Sequence, residues 1–258
     1  MRLRSIVKAI LPHFVLNGVG RIKRQIEARR NASQSPEQVF SRIYRTRQWG
    51  SGGPGAHSSG FHSGNGSTDE AIVGPYVDRI RKELTSCGPA KPKVVDLGCG
   101  DFSVGSRILD CCSEYIGVDV VPDLIEHLRA TVNDSRASFI SLDITQAVEY
   151  PDADVCFLRQ VLQHLSNAQI QFILPRLDKY DCVYITEHYP SDRVAVIPNL
   201  DKAHGADIRL YQNSGVYLDG PPFSISAERL KLILEVPAPD FGKLYAGGFI
   251  RTYRLDRA

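Results

Sequence analysis

The sequence predicts an open α/β fold, doubly wound around a mostly parallel sheet, and three observations carry that prediction. From Lys93 onward, short apolar runs alternate with amphipathic ones, the arrangement that builds a parallel sheet with helices on both faces. The first apolar run, Lys93 to Leu97, enters a glycine turn, Gly98-Cys99-Gly100, and a helix is expected to start near Phe102. Nineteen residues past Gly100, after a second apolar run, stands Asp119. A strand, a tight turn and a helix N-terminus together bring backbone N–H groups to one edge, where a polar ligand can sit. Glycine lets the backbone approach that ligand because no Cβ intervenes. An acid at the tip of the second strand is where a ribose diol would be held.

The elements follow in order. Residues 1–34 form a basic N-terminal segment whose apolar positions (Leu3, Ile6, Val7, Ile10, Leu11, Phe14, Val15, Leu16, Val19, Ile22, Ile26) suggest one or two amphipathic helices, broken near Pro12 and at Gly18 and Gly20. Residues 1–30 carry eight Lys/Arg against Glu27 alone, a net of +7; the whole chain sums to +2, which leaves −5 elsewhere. Such a segment can lie on an anionic membrane or pack on its own domain or a second subunit, so a homodimer stays open. Ser35, Pro36 and Gln38 make a capping box with proline at the first helical position, opening a helix to about Gln48. The next stretch, Gly50 to Gly66, holds seven glycines in seventeen residues and reads as linker or mobile lid. No Gly-Lys-Ser/Thr follows, so it is not a nucleotide P-loop. A helix is expected over Thr68–Ser86, closed by Gly88-Pro89. Residues 35–92 thus form a helical cap before a core spanning 93–258.

Within the core, strands are expected near 93–97, 115–119, 137–142, 154–159 and 182–187. Helices should fill 102–110, 122–133 and 166–177, the last capped by Ser166 with Gln169. Leu230–Val236 and Phe249–Leu255 read as a final antiparallel pair. Between strands five and six, about 188–225, lies a long irregular insertion of the kind that shapes an acceptor pocket. A chain of 258 residues with 43% hydrophobic and 23% charged side chains suits one sizeable globular α/β unit. The six cysteines include no C-x-x-C pair and read as thiols in a reducing compartment, not as a zinc site. No apolar run approaches the roughly 18 residues a membrane span needs. Lys8, Pro12 and His13 interrupt any signal-peptide core. The expected location is cytoplasmic, peripheral at the inner membrane face if the basic segment binds lipid. The acidic balance outside that segment argues against nucleic acid as a partner.

The glycine turn departs from G-x-G-x-x-G: Ser103 stands at the third glycine position, and the next glycine is Gly105. It resembles instead motif I of the class I S-adenosylmethionine-dependent methyltransferases, an acid–Leu–Gly–Cys/Ala–Gly turn. Asp96, Gly98 and Gly100 match that motif, Asp119 the ribose-holding acid, and Asp143 the acid near the adenine amino group. The resemblance implies a Rossmann-like seven-stranded sheet of order 3-2-1-4-5-7-6 and S-adenosylmethionine as cofactor. It would be held by Asp96, Gly98, Cys99, Gly100, Phe102, Asp119, Val120, Asp143, Ile144, Arg159 and Gln160.

A narrower resemblance, over about residues 36–225, is to bacterial methyltransferases found with surface-polysaccharide genes. It is carried by Trp49-Gly50 with its glycine loop, Arg159-Gln160-Val161-Leu162-Gln163-His164-Leu165, Asn199-Leu200-Asp201 through Arg209, and Gly220-Pro221-Pro222-Phe223. Gln160 departs from it, standing where many relatives carry Asp. This resemblance implies O-methylation of a sugar or glycan hydroxyl, with a small natural product or lipid as the alternative acceptor and a non-catalytic nucleotide-binding partner protein as a third reading. Methyl transfer to a hydroxyl needs an aligned acceptor and a route for its proton, and a neutral histidine suits a site beside a sulfonium. His164, just past the fourth strand, is the first candidate base, with His188 and Glu187 at the end of the fifth strand as the second. His164 reads equally well as a core or capping histidine, and Glu187 as a structural partner of Arg159 or Arg209. Trp49, His57, His62, His204, Asp207, Arg209 and Tyr211 are the candidate acceptor-binding residues. Asp201, His204 and Asp207 are spaced so that Mg²⁺ is conceivable, but spacing alone does not support a metal.

Overall fold

The computed structural model describes residues 13–50, 60–86, 88, 90–191, 195–238 and 247–257. Its centre is one seven-stranded sheet of order β3-β2-β1-β4-β5-β7-β6. The strands are β1 (Lys93–Leu97), β2 (Glu114–Asp119), β3 (Ala137–Ser141), β4 (Val155–Arg159), β5 (Cys182–Pro190), β6 (Leu230–Ala238) and β7 (Gly248–Asp256). Strands β1 to β5 pair in parallel, while β7 runs antiparallel to both β5 and β6. This is the doubly wound order expected from the sequence. Both faces of the central strands are covered, which is why β1, β4 and β5 read as continuous apolar runs: Val94, Val95, Leu97, Val155 to Leu158 and Val183 to Ile185 are all buried. The five described cysteines, Cys99, Cys111, Cys112, Cys156 and Cys182, are free.

Among the described residues five helices follow the periodicity: α1 (His13–Ala32), which runs unbroken through Gly18 and Gly20 where a break was expected, and, with shifted ends, α2 (Pro36–Arg45), α3 (Glu70–Ser86), α4 (Pro122–Thr131) and α5 (Asn167–Ile173). Both expected capping boxes are present, at Ser35/Gln38 and Ser166/Gln169. The longer helix expected to 177 stops at Ile173 and continues to Lys179 as a 3₁₀ turn, because Pro175 has no N–H to sustain the α-helical ladder. The helix expected over 102–110 is absent. In its place stand two single 3₁₀ turns, Gly105–Arg107 and Leu109–Cys111. Asp101 accepts hydrogen bonds from the Ser103 backbone N–H (3.1 Å) and hydroxyl (2.6 Å), a local turn that competes with a helix start, and Gly105 lowers helix propensity further.

The order of strands fixes where a ligand can go. Going outward from β1, the chain winds one way through β2 and β3 and the other way through β4 and β5, so a crevice opens beyond the carboxyl ends of β1 and β4. Two non-glycine residues at those ends hold left-handed backbone, Phe102 (φ 63°) and Gln160 (φ 56°). Each conformation costs on the order of 1–2 kcal/mol, and such strain gathers where function constrains the backbone. Among the described residues no helix is long and apolar enough to cross a membrane.

Candidate active site

The crevice is a cleft with one wall made by the ends of β1, β2 and β3. Asp96, Gly98, Cys99, Gly100, Asp119, Val120, Asp143 and Ile144 line it. Gly98 (φ 88°) and Gly100 (φ 55°) hold backbone that only glycine adopts without strain. They are also squeezed from outside. A Cβ on Gly98 would stand 2.4 Å from Val161 Cγ2, and one on Gly100 would stand 2.4 Å from Ser63 Oγ. The turn is tied down by Gly98 N and Cys99 N, which both donate to Val118 O at 2.7 and 2.9 Å.

Three acids face this wall. Asp119 accepts from Gly100 N (3.2 Å) through Oδ2 and from Val121 N (3.1 Å) through Oδ1. Asp143 is held by Thr145 N (2.9 Å), the Thr145 hydroxyl (2.7 Å) and Gln146 Nε2 (2.8 Å), which sets the turn that presents Ile144. Asp96 takes a 2.5 Å hydrogen bond from the Tyr115 hydroxyl through Oδ2, while its Oδ1 is buried with no hydrogen-bond partner. Burial pushes both Asp96 and Asp119 up to about 6. Phe102, expected at the ligand, lies behind the turn instead. It is buried against the rings of Tyr115 (5.1 Å) and Phe139 (5.0 Å), which draw it away from the cleft.

The facing wall comes from the end of β4 and from the cap. Arg159, Gln160, Val161, His164 and Leu165 line it with Pro36, Phe40, Tyr44, Trp49, Ser63, Ser67 and Tyr76. The Arg159 guanidinium lies over the Tyr76 ring at 4.9 Å and donates to Gly66 O at 2.6 Å; its Nε is buried and unpartnered. Ser63 bridges the two walls. Its N–H donates to Asp101 at 3.0 Å, its Oγ accepts from Asp101 N at 2.8 Å, and the Tyr44 hydroxyl lies 3.1 Å away.

His164 sits in a 3₁₀ turn, Leu162–His164. Its Nδ1 is 3.1 Å from the Gly205 carbonyl, which can only accept, so Nδ1 carries the proton and Nε2 keeps its lone pair. Nε2 lies 3.4 Å from the Gln163 amide nitrogen, and the Asp207 backbone is a further hydrogen-bond partner of the ring. The ring packs against Trp49 at 5.2 Å. Burial and then Lys202 press its pKa down to about 3, so it is neutral at any ordinary pH.

The other candidate catalytic groups are not at the cleft. Glu187 is buried and accepts from Leu162 N (2.7 Å) and Gln163 N (3.1 Å). Arg209, also buried, donates to Leu162 O (3.1 Å) and Gln163 O (3.4 Å) and to Asn167 Oδ1 (2.8 Å). Together they satisfy the donors and acceptors of the turn that carries His164: positioning residues, not a base and an acceptor ligand. Burial holds Glu187 up at about 8, although Arg209 and the backbone N–H groups oppose it. His188 is buried on β5, away from the lining, and pressed down to about 4.

The candidate acceptor-binding residues divide in the same way. Trp49 lines the cleft. His57 lies outside the described residues. His62 is buried beside Gly50, off the lining. His204 packs behind Phe40 (6.4 Å) and meets Gln169 Nε2 at 3.3 Å. Asp207 and Tyr211 do not line the cleft, and Tyr211 instead lies under the Arg24 guanidinium at 5.2 Å. Asp201 accepts from Asn167 N and Lys202 N, both at 2.8 Å. Among the described residues no three His, Cys, Asp or Glu are grouped to hold a metal ion, so Asp201, His204 and Asp207 do not make a Mg²⁺ site. The insertion therefore braces the site from behind, through contacts such as Gly205 N to His164 O (3.0 Å), and contributes no described residue to the lining. The cap roofs the cleft. Phe40, Tyr44 and Tyr76 escaped sequence reasoning because helical spacing marks them, like neighbours such as Val39 and Ile43, equally well as core, and Ser63 because it lies in the glycine-rich loop, where no spacing points to a site.

A sulfonium nucleoside with an amino-acid tail fits this cleft. Asp96 Oδ1, without a hydrogen-bond partner among the described residues, suits a cationic group, and Asp119 keeps lone pairs for a diol. Protonation would remove those acceptors. Because both acids titrate at about 6 in the folded protein, cofactor affinity should fall as pH drops through about 6 and hold steady above it. Isothermal titration across that range checks this, with affinity rising toward low pH as the contrary result.

Residues 94–180 match the family described as "Methyltransferase domain". No curated protein matches. Among solved structures, the chain is similar to the 1,6-didemethyltoxoflavin-N1-methyltransferase of Burkholderia thailandensis, at 14% identity over 84% of this chain and 85% of that one, TM-score 0.50. It is also similar to the N-methyltransferase NodS of Bradyrhizobium japonicum, solved with S-adenosyl-L-homocysteine: 15% identity, 72% and 87% covered, TM-score 0.48. A third is the magnesium protoporphyrin IX methyltransferase of Synechocystis, solved with bound S-adenosylmethionine: 14% identity, 91% and 97% covered, TM-score 0.48. At these identities the likeness is one of fold.

Proposed function

We propose that this protein, an S-adenosylmethionine-dependent methyltransferase, transfers the methyl group to a hydroxyl of a sugar or glycan. The cofactor supplies a methyl group on a sulfonium sulfur, open to in-line displacement by an oxygen. Asp119 holds the ribose diol, Asp96 faces the cationic part, and Ile144 with Asp143 takes the adenine. These contacts leave the part of the cleft lined by Phe40, Trp49, His164 and Leu165 for the acceptor.

The observation that carries the acceptor reading is the Trp49–His164 pair. An indole face suits the C–H face of a pyranose, whose polarised hydrogens meet the negative π cloud. The Trp49 Nε1–H is buried and has no partner among the described residues, so a ring or hydroxyl oxygen of the acceptor would satisfy a donor now left bare. Beside it, His164 Nε2 can orient the attacking hydroxyl and receive its proton. With a pKa of about 3 the imidazole is a weak base, but it acts late: once the O–CH₃ bond is forming, that oxygen is far more acidic than any imidazolium.

A second reading, a flat natural product or a lipid, draws on the three aromatic walls, Phe40, Tyr44 and Trp49. Release of the demethylated cofactor separates the two. Neutral oligosaccharides and sugar nucleotides should support turnover, and Trp49→Phe, which keeps the ring and removes the N–H, should raise KM for them about 2–10-fold, the worth of one hydrogen bond. Turnover with flat phenols or lipids alone would overturn the sugar reading.

A further inference from the structure

Helix α1 exposes two apolar side chains that a helix serving only its own core would bury. Ile22 and Ile26, one turn apart, are 58% and 62% exposed. The other large exposed hydrophobics among the described residues, Val148, Ile197 and Leu232, lie scattered on separate segments. Among the described side chains of α1, those that meet its own domain are polar. Asn31 is buried against Gly205 and accepts from Arg42 Nη2 at 2.5 Å, and the Arg24 guanidinium covers the Tyr211 ring. Gln25, Arg29 and Arg30 are exposed around the isoleucines.

Charge selects the occupant of that face. Helix α1 carries Arg21, Lys23, Arg24, Arg29 and Arg30 against Glu27 alone, a net of +4. A second copy of the chain would set +4 against +4 around two small apolar contacts, which is unfavourable. A nucleic acid would use the cations but leave both isoleucines in water. An anionic bilayer uses both features: apolar side chains enter the boundary between headgroups and acyl chains while Lys and Arg meet the headgroup charge. We propose that α1 is an interfacial helix that docks the protein on an anionic lipid surface, with Ile22 and Ile26 facing the bilayer. Its inner side is tied to the cap: Arg42, which holds Asn31, belongs to α2, the helix that supplies Phe40 and Tyr44 to the cleft lining. Docking does not depend on the identity of the acceptor.

Co-sedimentation of the full chain with phosphatidylcholine vesicles, with and without phosphatidylglycerol, tests this. The expected result is binding to the anionic vesicles only, weakened by high salt. The double variant Ile22→Ser, Ile26→Ser, which keeps every charge, should bind about tenfold or more weakly. Its thermal midpoint should be unchanged, since both side chains are exposed. Three results would overturn the proposal: no binding to anionic vesicles, equal binding to neutral ones, or undiminished binding by the double variant. A wild-type dimer that the double variant dissociates, with vesicle binding unaffected, would assign the face to a second copy instead.

Discussion

Replacing His164 by alanine should lower turnover by about 10²–10⁴ while leaving cofactor affinity nearly unchanged, the loss typical of removing a positioned proton acceptor. The expectation rests on geometry. Nδ1–H is committed to Gly205 O, Nε2 carries the lone pair, and Trp49 packs on the ring, both side chains lining the cleft. The pH profile distinguishes this from a packing role. With His164 neutral down to about 3, kcat should show no histidine inflection near neutrality, and any fall on the acid side should follow the carboxylates at about 6. His188→Ala should leave turnover largely intact, because that ring is buried away from the cleft. Full turnover in His164→Ala with loss in His188→Ala would move the proton acceptor to β5.

Replacing Asp119 by alanine should weaken binding of S-adenosylmethionine and of its demethylated product by about 1–3 kcal/mol, roughly 5–150-fold. A carboxylate that accepts two hydroxyl hydrogens from a diol makes charge-assisted bonds, and alanine leaves both hydroxyls unpaired. Part of the loss comes from the turn itself, since Asp119 also accepts from Gly100 N and Val121 N. Asp119→Asn separates the parts. It keeps the shape and one acceptor oxygen, so it should retain more affinity than alanine and lose Asp119's share of the acid-side decline. Isothermal titration with both ligands reads these outcomes, and unchanged affinity in Asp119→Ala would mean the ribose site is elsewhere.

Much of the fold was legible because it is written in local patterns. The parallel core shows as apolar runs that end in acids, two helix starts as capping boxes, and the antiparallel ending as two adjacent strands. That Asp96, Gly98, Gly100, Asp119 and Asp143 would line one cleft was equally legible, since each sits at a strand end, where spacing along the chain maps onto one edge. Except for the helix after Phe102, which a local turn displaced, the failures share a cause: tertiary partners outweigh local signals. Phe102 was drawn behind the turn by Tyr115 and Phe139, and the helix after it was lost to the Asp101–Ser103 turn. Glu187 and Arg209 carry charges that suggest chemistry, yet their partners are backbone atoms of the Leu162–His164 turn, which no spacing reveals. The acceptor wall was hardest of all. Phe40 and Tyr44 follow the helical rhythm of a core stripe, and only the folded cap shows their rings meeting Trp49 at 6.0 and 5.1 Å over the cleft.

A structure of the protein with S-adenosylhomocysteine is the most direct test. The ribose hydroxyls should lie on Asp119, the adenine beside Asp143 and Ile144, and the sulfur should face the space between Trp49 and His164 Nε2. A ligand whose sulfur points away from that pair, or whose adenine occupies the aromatic end among Phe40, Tyr44 and Trp49, would contradict the account.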